Sequence, residues 1–309
     1  MKVSEFTFDS STAHNKIFTR LYEPDGEPKA VLQISHGMAE HSALYKPFCE
    51  YMAQRGFVVV INDHLGHGRS VTSGALYGHF GEKGGLYNVV EDQRNLQSIM
   101  REKYPELPYF LMGHSMGSFL TRQLLHQFSL PKLSGVILMG SGRQAKGLVR
   151  FAHALTGAVA RHKGARHKSD VLYKLILGSN NLRCHPHRTS FDWLSRVPEN
   201  ADAFATDPLN ADNFTAQAYS DMLGGMLTNY DERRLAALDT DVPVLILSGD
   251  ADPIGEYGRG TRRLLAEYET RGYSDTTMIL YPGARHELLN ETNREQVTAD
   301  ILVWMEARL

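Results

Sequence analysis

Short runs of β-branched and aromatic residues alternate along this chain with longer stretches whose apolar residues recur every three to four positions, the pattern of parallel strands joined by helical crossovers. It predicts strands at Val3 to Phe8, Lys16 to Tyr22, Ala30 to Ser35, Phe57 to Asn62, Tyr109 to Met112, Gly135 to Met139, Val244 to Ser248 and Thr277 to Tyr281. The first two are separated by a few polar residues and read as a hairpin. The others need crossovers, so the sheet is mixed and mostly parallel. Helices are predicted over Tyr87 to Tyr104, Met116 to Phe128, Arg259 to Arg271 and Thr292 to Leu309. The last opens with the capping-box spacing Thr292-x-x-Glu295 and places Val297, Ile301 and Met305 on one face.

Between Met139 and Val244 lie about a hundred residues without a convincing strand, too many for a simple crossover. The expected organisation is a core of residues 1–140 and 242–309 interrupted by a helical cap at 141–241. Within the cap, Tyr219, Met222, Leu223, Met226, Leu227 and Tyr230 fall on one wide apolar helix face. That face is either the cap's own core or an adaptable wall for an acyl chain, with Tyr219, Met222, Leu223 and Met226 touching substrate.

At 309 residues and 42% hydrophobic content the chain can bury a full core, which excludes global disorder. A net charge of −2 gives no basic footprint for nucleic acid. No apolar run approaches the length of a membrane span, and neither end carries a secretory or lipidation signal, so a cytoplasmic protein is expected. Cys49 and Cys184 lie far apart in sequence, which excludes a disulfide framework or a four-thiolate zinc cage. Charge divides the cap: residues 143–190 hold ten Lys/Arg and one acidic residue, while 191–241 hold ten Asp/Glu and three Arg. The halves are thus +9 and −7, leaving −4 for the body. They either pair with each other and with solvent, or the basic half makes a peripheral contact with anionic lipid head groups or a phosphate.

Gly113-His114-Ser115-Met116-Gly117 matches G-x-S-x-G between an apolar strand and a helix. Such a tight turn needs small residues on both sides and lifts a serine hydroxyl to a helix N-terminus. A serine is a weak nucleophile unless a base takes its proton and an acid orients that base. Asp252 follows one later strand and His286 the last, giving Ser115, Asp252 and His286 as candidate catalytic residues, with Asp250 competing for the acid role. The oxyanion hole is assigned to the backbone N–H of Met116, after the serine, and of Met38, in the loop after Ala30 to Ser35. No metal site is expected. His36 and His41 lack further ligands nearby, and Pro186 keeps Cys184-His-Pro-His187 from forming a helical pair. The basic run Arg161 to Lys168 has no interleaved aromatics and reads as a solvated cap loop.

These segments resemble the monoacylglycerol lipase and lysophospholipase group of α/β-hydrolases, relatives of which are also called serine aminopeptidase-like. The resemblance rests on His36 to Tyr45, Asp63 to Ser70, Gly113 to Gly117, Ser248 to Pro253 and Arg285 to Glu291, in order along most of the chain. It implies the α/β-hydrolase fold, with a mostly parallel eight-stranded sheet flanked by helices and an inserted helical cap. It also implies a cofactor-free serine ester hydrolase acting on monoacyl lipids or small esters, with the roles given above for Ser115, Asp252, His286, Met38 and Met116. Asp63 to Ser70 reads as a structural loop beneath the site. The chain departs from the family at Ser118, where a further glycine is usual, and matches in the cap only loosely, through Ser190 to Ser195. Two other functions stay open: an amidase or aminopeptidase on small hydrophobic amides, and a catalytically silent binding protein.

Overall fold

Alternation along the central strands sorts their side chains onto two apolar layers, one on each face of a single sheet. The computed structural model describes residues 1–309 apart from 13, 14, 73, 74, 83, 186 and 212. All eight expected strands form: β1 (Lys2–Asp9), β2 (Lys16–Glu23), β3 (Ala30–Ser35), β4 (Phe57–Asn62), β5 (Tyr109–His114), β6 (Gly135–Met139), β7 (Val244–Gly249) and β8 (Thr276–Tyr281). Their spatial order is β1-β2-β4-β3-β5-β6-β7-β8. The hairpin β1–β2 and the pair β2–β4 are antiparallel, and every pairing from β4 to β8 is parallel.

The described helices are α1 (Lys46–Ala53), α2 (Gly85–Lys103), α3 (Met116–Gln127), α4 (Lys146–Lys163), α5 (Asp170–Ile176), α6 (Pro198–Thr206), α7 (Ala216–Thr228), α8 (Glu232–Leu235), α9 (Arg259–Thr270) and α10 (Arg294–Glu306). On one face Leu32, Val59, Phe110, Ile137 and Leu245 meet Cys49 and Met52 of α1 and Val297, Ile301 and Met305 of α10. On the other, Val31, Val60, Leu111, Val136 and Ile246 meet α2, α3 and α9. The segment between β6 and β7 contains α4 to α8 and, among its described residues, no strand beyond an isolated bridge between Lys168 and Thr215.

Three local expectations are corrected. The capping box at Thr292 does not form: Asn293 occupies the cap position, and the Thr292 N–H donates to Glu291 instead. Glu291 is fully buried and also accepts from the Arg196 side chain and the Arg285 N–H, so it outcompetes the local motif. The basic run is not all loop, since Arg161, His162 and Lys163 form the last turn of α4, where cations complement the helix dipole. Finally, α7 ends at Thr228, leaving Tyr230 beyond the helix with its hydroxyl on the Gln144 carbonyl.

Candidate active site

Strand order reverses between β3 and β5, because the chain leaves β3 to one side for β4 and returns on the other as β5. A parallel sheet opens a crevice outside the carboxyl ends of its strands at such a switch point. The loop carrying Met38 follows β3 and Ser115 follows β5, so both rim this crevice.

Ser115 has φ 53° and ψ −120°, a strained backbone for a residue with a side chain. The surroundings over-determine the strain. Its N–H donates to the Met139 carbonyl at 2.9 Å, and β3 closes in so tightly that a Cβ on Gly117 would strike the Ser35 carbonyl. A Cβ on Gly113 would likewise strike the Gly117 carbonyl. Ser118, the departure from the family pattern, is buried and donates its hydroxyl to the Ser115 carbonyl at 2.6 Å.

His286 donates its Nδ1 N–H to the Asp252 carboxylate, 3.0 Å from Oδ2. Asp252 is fully buried and its other oxygen takes the Ile254 N–H at 2.8 Å, which locks the carboxylate toward the ring. Asp250 points elsewhere and accepts the Gly283 N–H at 2.6 Å. The second ring nitrogen, His286 Nε2, is buried without a hydrogen-bond partner among the described residues. The Ser115–His286 hydrogen bond is therefore open in this structure, while both residues line one cavity of about 180 Å³. Such contacts commonly tighten only when substrate is bound.

Met38 and Met116 line the same cavity. The Met116 N–H belongs to the first turn of α3, where no intrahelical acceptor exists. The Met38 loop is fixed from beneath: the Gly37 N–H donates to Glu40 at 2.9 Å, and His36 accepts the His64 N–H at 3.0 Å. The His36, His64 and His67 rings pack together with His36–His64 centroids 3.9 Å apart, and burial pushes all three well toward the neutral form, His64 down to about 3 and His67 to about 4. Asp63 accepts the Ser42 and Arg69 N–H groups at 2.7 Å each, so residues 63 to 70 buttress this loop from outside the cavity.

Tyr219, Met222, Leu223 and Met226 all line the cavity, whereas Leu227 and Tyr230 do not. Other walls were not legible in the sequence. Trp193 lies against His286 with ring centroids 4.9 Å apart, and Phe191, Phe204 and Phe214 also line the cavity, from a segment with no periodic pattern to mark them. His114, hidden inside the G-x-S-x-G string, has its ring 4.7 Å from that of His286.

Among the described residues no cluster of three or more His, Cys, Asp or Glu side chains could hold a metal ion. Cys184 is buried against Trp193, Leu194 and Phe204, where a thiol packs as a small apolar group. The neighbouring Pro186, on which the sequence argument turned, lies outside the described residues. His41 Nε2 sits 2.9 Å from Asp207 Oδ2.

A family model described as serine aminopeptidase, S33 (Hydrolase_4) matches residues 26–293. The chain is 29% identical over 297 residues to a monoacylglycerol lipase of Mycolicibacterium smegmatis, covering 95% of this chain and 94% of that one. It is 28% identical over 295 residues to the human monoglyceride lipase, covering 94% and 87%. Among solved structures, a thermostable carboxyl esterase from Bacillus coagulans in complex with glycerol is similar with a TM-score of 0.91 at 26% identity, covering 100% of this chain and 99% of that one.

Proposed function

The chain belongs to the serine aminopeptidase S33 family of hydrolases, and from that premise we propose that it is a serine hydrolase cleaving carboxylic esters of monoacyl lipids. One observation carries the reading. A strained serine and a buried imidazole already oriented by a carboxylate line the same apolar cavity, the imidazole with one nitrogen unengaged. In this reading Ser115 Oγ attacks the ester carbonyl as His286 Nε2 takes its proton, and Asp252 stabilises the imidazolium that results. The Met38 and Met116 N–H groups hold the oxyanion. Collapse expels the alcohol, which takes the proton from His286, and water then attacks the acyl-enzyme by the same route, returning free Ser115.

Residues 141–241 act as a cap over a core of 1–140 and 242–309, and α7 supplies an acyl wall through Tyr219, Met222, Leu223 and Met226. The family description also names aminopeptidases, whose substrates carry an ammonium that needs a carboxylate. Among the described residues Glu40 is the one carboxylate lining the cavity, and its oxygens are taken by the Gly37 N–H, the Tyr45 hydroxyl and His114. That favours an uncharged acyl group. Ser115→Ala removes labelling by a fluorophosphonate probe and turnover of p-nitrophenyl acyl esters; labelling that persists in this variant refutes the nucleophile. Faster turnover of aminoacyl anilides than of acyl esters replaces the ester reading with the amidase one.

The basic half of the cap is the surface we assign to anionic lipid. Leu148 and Phe151 of α4, Val171 and Leu175 of α5, and Leu182 are all exposed there among the lysines and arginines, and the opposite side of α5 supplies Tyr173 and Ile176 to the cavity. No helix among the described residues is long and apolar enough to cross a membrane, so the contact would be peripheral. Salt-sensitive binding to anionic and not zwitterionic vesicles is expected; equal, salt-insensitive binding removes the idea. A cytoplasmic setting fits Cys49 and Cys184, both free and buried.

A further inference from the structure

Beside His286 lies a buried charged cluster that the proposed acyl transfer does not use. His114 is fully buried, with Nδ1 3.1 Å from Glu40 Oε1 and Nε2 3.2 Å from the backbone carbonyl of His286. Glu40 already accepts the Gly37 N–H at 2.9 Å and the Tyr45 hydroxyl at 2.6 Å, the donor set of an ionised carboxylate. With its proton given to Glu40, the Tyr45 oxygen turns a lone pair to His114 Nδ1 at 3.0 Å. Each ring nitrogen of His114 therefore faces acceptors. A neutral tautomer would set a nitrogen lone pair against either the carboxylate or the His286 carbonyl; a ring with N–H on both nitrogens satisfies both sides.

We propose that His114 is an imidazolium at neutral pH and a positioning residue for His286: one N–H fixes the His286 carbonyl, and the ring charge opposes a second positive charge on the imidazole beside it. The two ring centroids are 4.7 Å apart, close enough for like charges to exclude each other in a buried site. The Asp252 carboxylate at Nδ1 favours positive charge on the His286 ring, and the His114 charge beside it works the other way. Burial works against a charged His114, but the Glu40 carboxylate, its hydrogen bond and Glu287 raise its titration to about 9. The groups facing it are Glu40 and Tyr45 from the segment after β3, and His286 and Glu287 from the loop after β8. Burial and the charge of Glu40 push Glu287 upward, so it contributes least negative charge where Glu40 contributes most.

The inference rests on His286 being the base, and two measurements keep its failure apart from failure of that reading. The first needs no turnover. In nitrogen-15 spectra of the full chain, both His114 ring nitrogens show imidazolium shifts through pH 8 and lose them only above about 9; a neutral ring at pH 7 overturns the proposal. The second is the pH profile of His114→Gln. Loss of the charge moves the acid limb of kcat/KM upward by about one pH unit, whereas an equal loss at every pH with the limb unmoved makes His114 merely structural. Should the variant not fold, the spectrum of the wild-type chain still decides. Persistent labelling of Ser115→Ala would sink the hydrolase reading while leaving the spectral result untouched.

Discussion

Glu287 donates its backbone N–H to the Leu194 carbonyl at 2.7 Å, tying the loop that carries His286 to the segment that carries Trp193. Ring packing follows from that tie, with Trp193 and His286 centroids 4.9 Å apart. Two segments distant in sequence thus fix one imidazole, from Asp252 on one nitrogen and from an indole on its face. Trp193→Ala should lower kcat/KM about tenfold and cost about 3 kcal/mol of stability, the low end for a buried aromatic. Trp193→Phe should recover most of both. Kinetics and thermal melting of the two variants check it; full activity in Trp193→Ala would mean the ring is only a wall.

The acid role separates two neighbouring carboxylates. Asp252→Asn keeps the shape but leaves the imidazole without its charged partner, and kcat should fall by a factor on the order of 10⁴, the size of that effect in a serine protease triad. Asp250→Asn alters only the contact with the Gly283 N–H and should stay within a few-fold of wild type. A larger loss from Asp250→Asn would reverse the assignment.

Filling the cavity should change chain-length preference more than chemistry. Met226 lines it from α7, so Met226→Trp shortens the room for an acyl tail. Turnover of long-chain p-nitrophenyl esters should drop about tenfold relative to short-chain ones, an energy comparable to that of one or two methylenes in an apolar pocket. An unchanged ratio would place the acyl tail elsewhere.

Stability should fall steeply in mild acid. His36, His64 and His67 are buried neutral and titrate far below the unfolded value of about 6.5, His64 at about 3 and His67 at about 4, as does His126 at about 3. The unfolded chain then binds protons that the folded one refuses, so their contribution is full above about pH 6.5 and is lost as pH falls toward 4. Each such histidine costs about 1.4 kcal/mol per pH unit in that window. Asp92 and Glu287, raised by burial to about 6 and about 7, work in the opposite sense between about 4 and 7 and remove part of the slope. His114, raised to about 9, gains stability as pH falls toward 6.5 and adds nothing to the slope below that, so the loss shows most clearly between pH 6 and 5. Urea midpoints at pH 7.5, 6 and 5 test this, and a flat series would contradict the buried neutral rings.

Much of the fold was readable because its signals are local. The eight strands are apolar runs bounded by polar residues, and their period of two sorts Val31 from Leu32 and Val58 from Val59 onto opposite layers. Ser115 was marked by the glycines at 113 and 117, which the close approach of β3 and the turn itself require. Helix α1 was not expected, and α4, α5, α6 and α8 were expected only as part of a helical cap without bounds, since short or mixed sequences there take their shape from what they pack against.

Local pattern thus determined where strands begin, in what order they follow and which serine stands at a turn, because backbone sterics and side-chain alternation act over a few residues. It favoured Asp252 over Asp250 without showing which carboxylate meets the imidazole, and it did not foresee that Glu291 would dissolve the capping box or that Trp193 and His114 would both pack against one imidazole. Those outcomes depend on hydrogen bonds and buried charges between segments tens to hundreds of residues apart, whose partners exist only once the sheet has assembled.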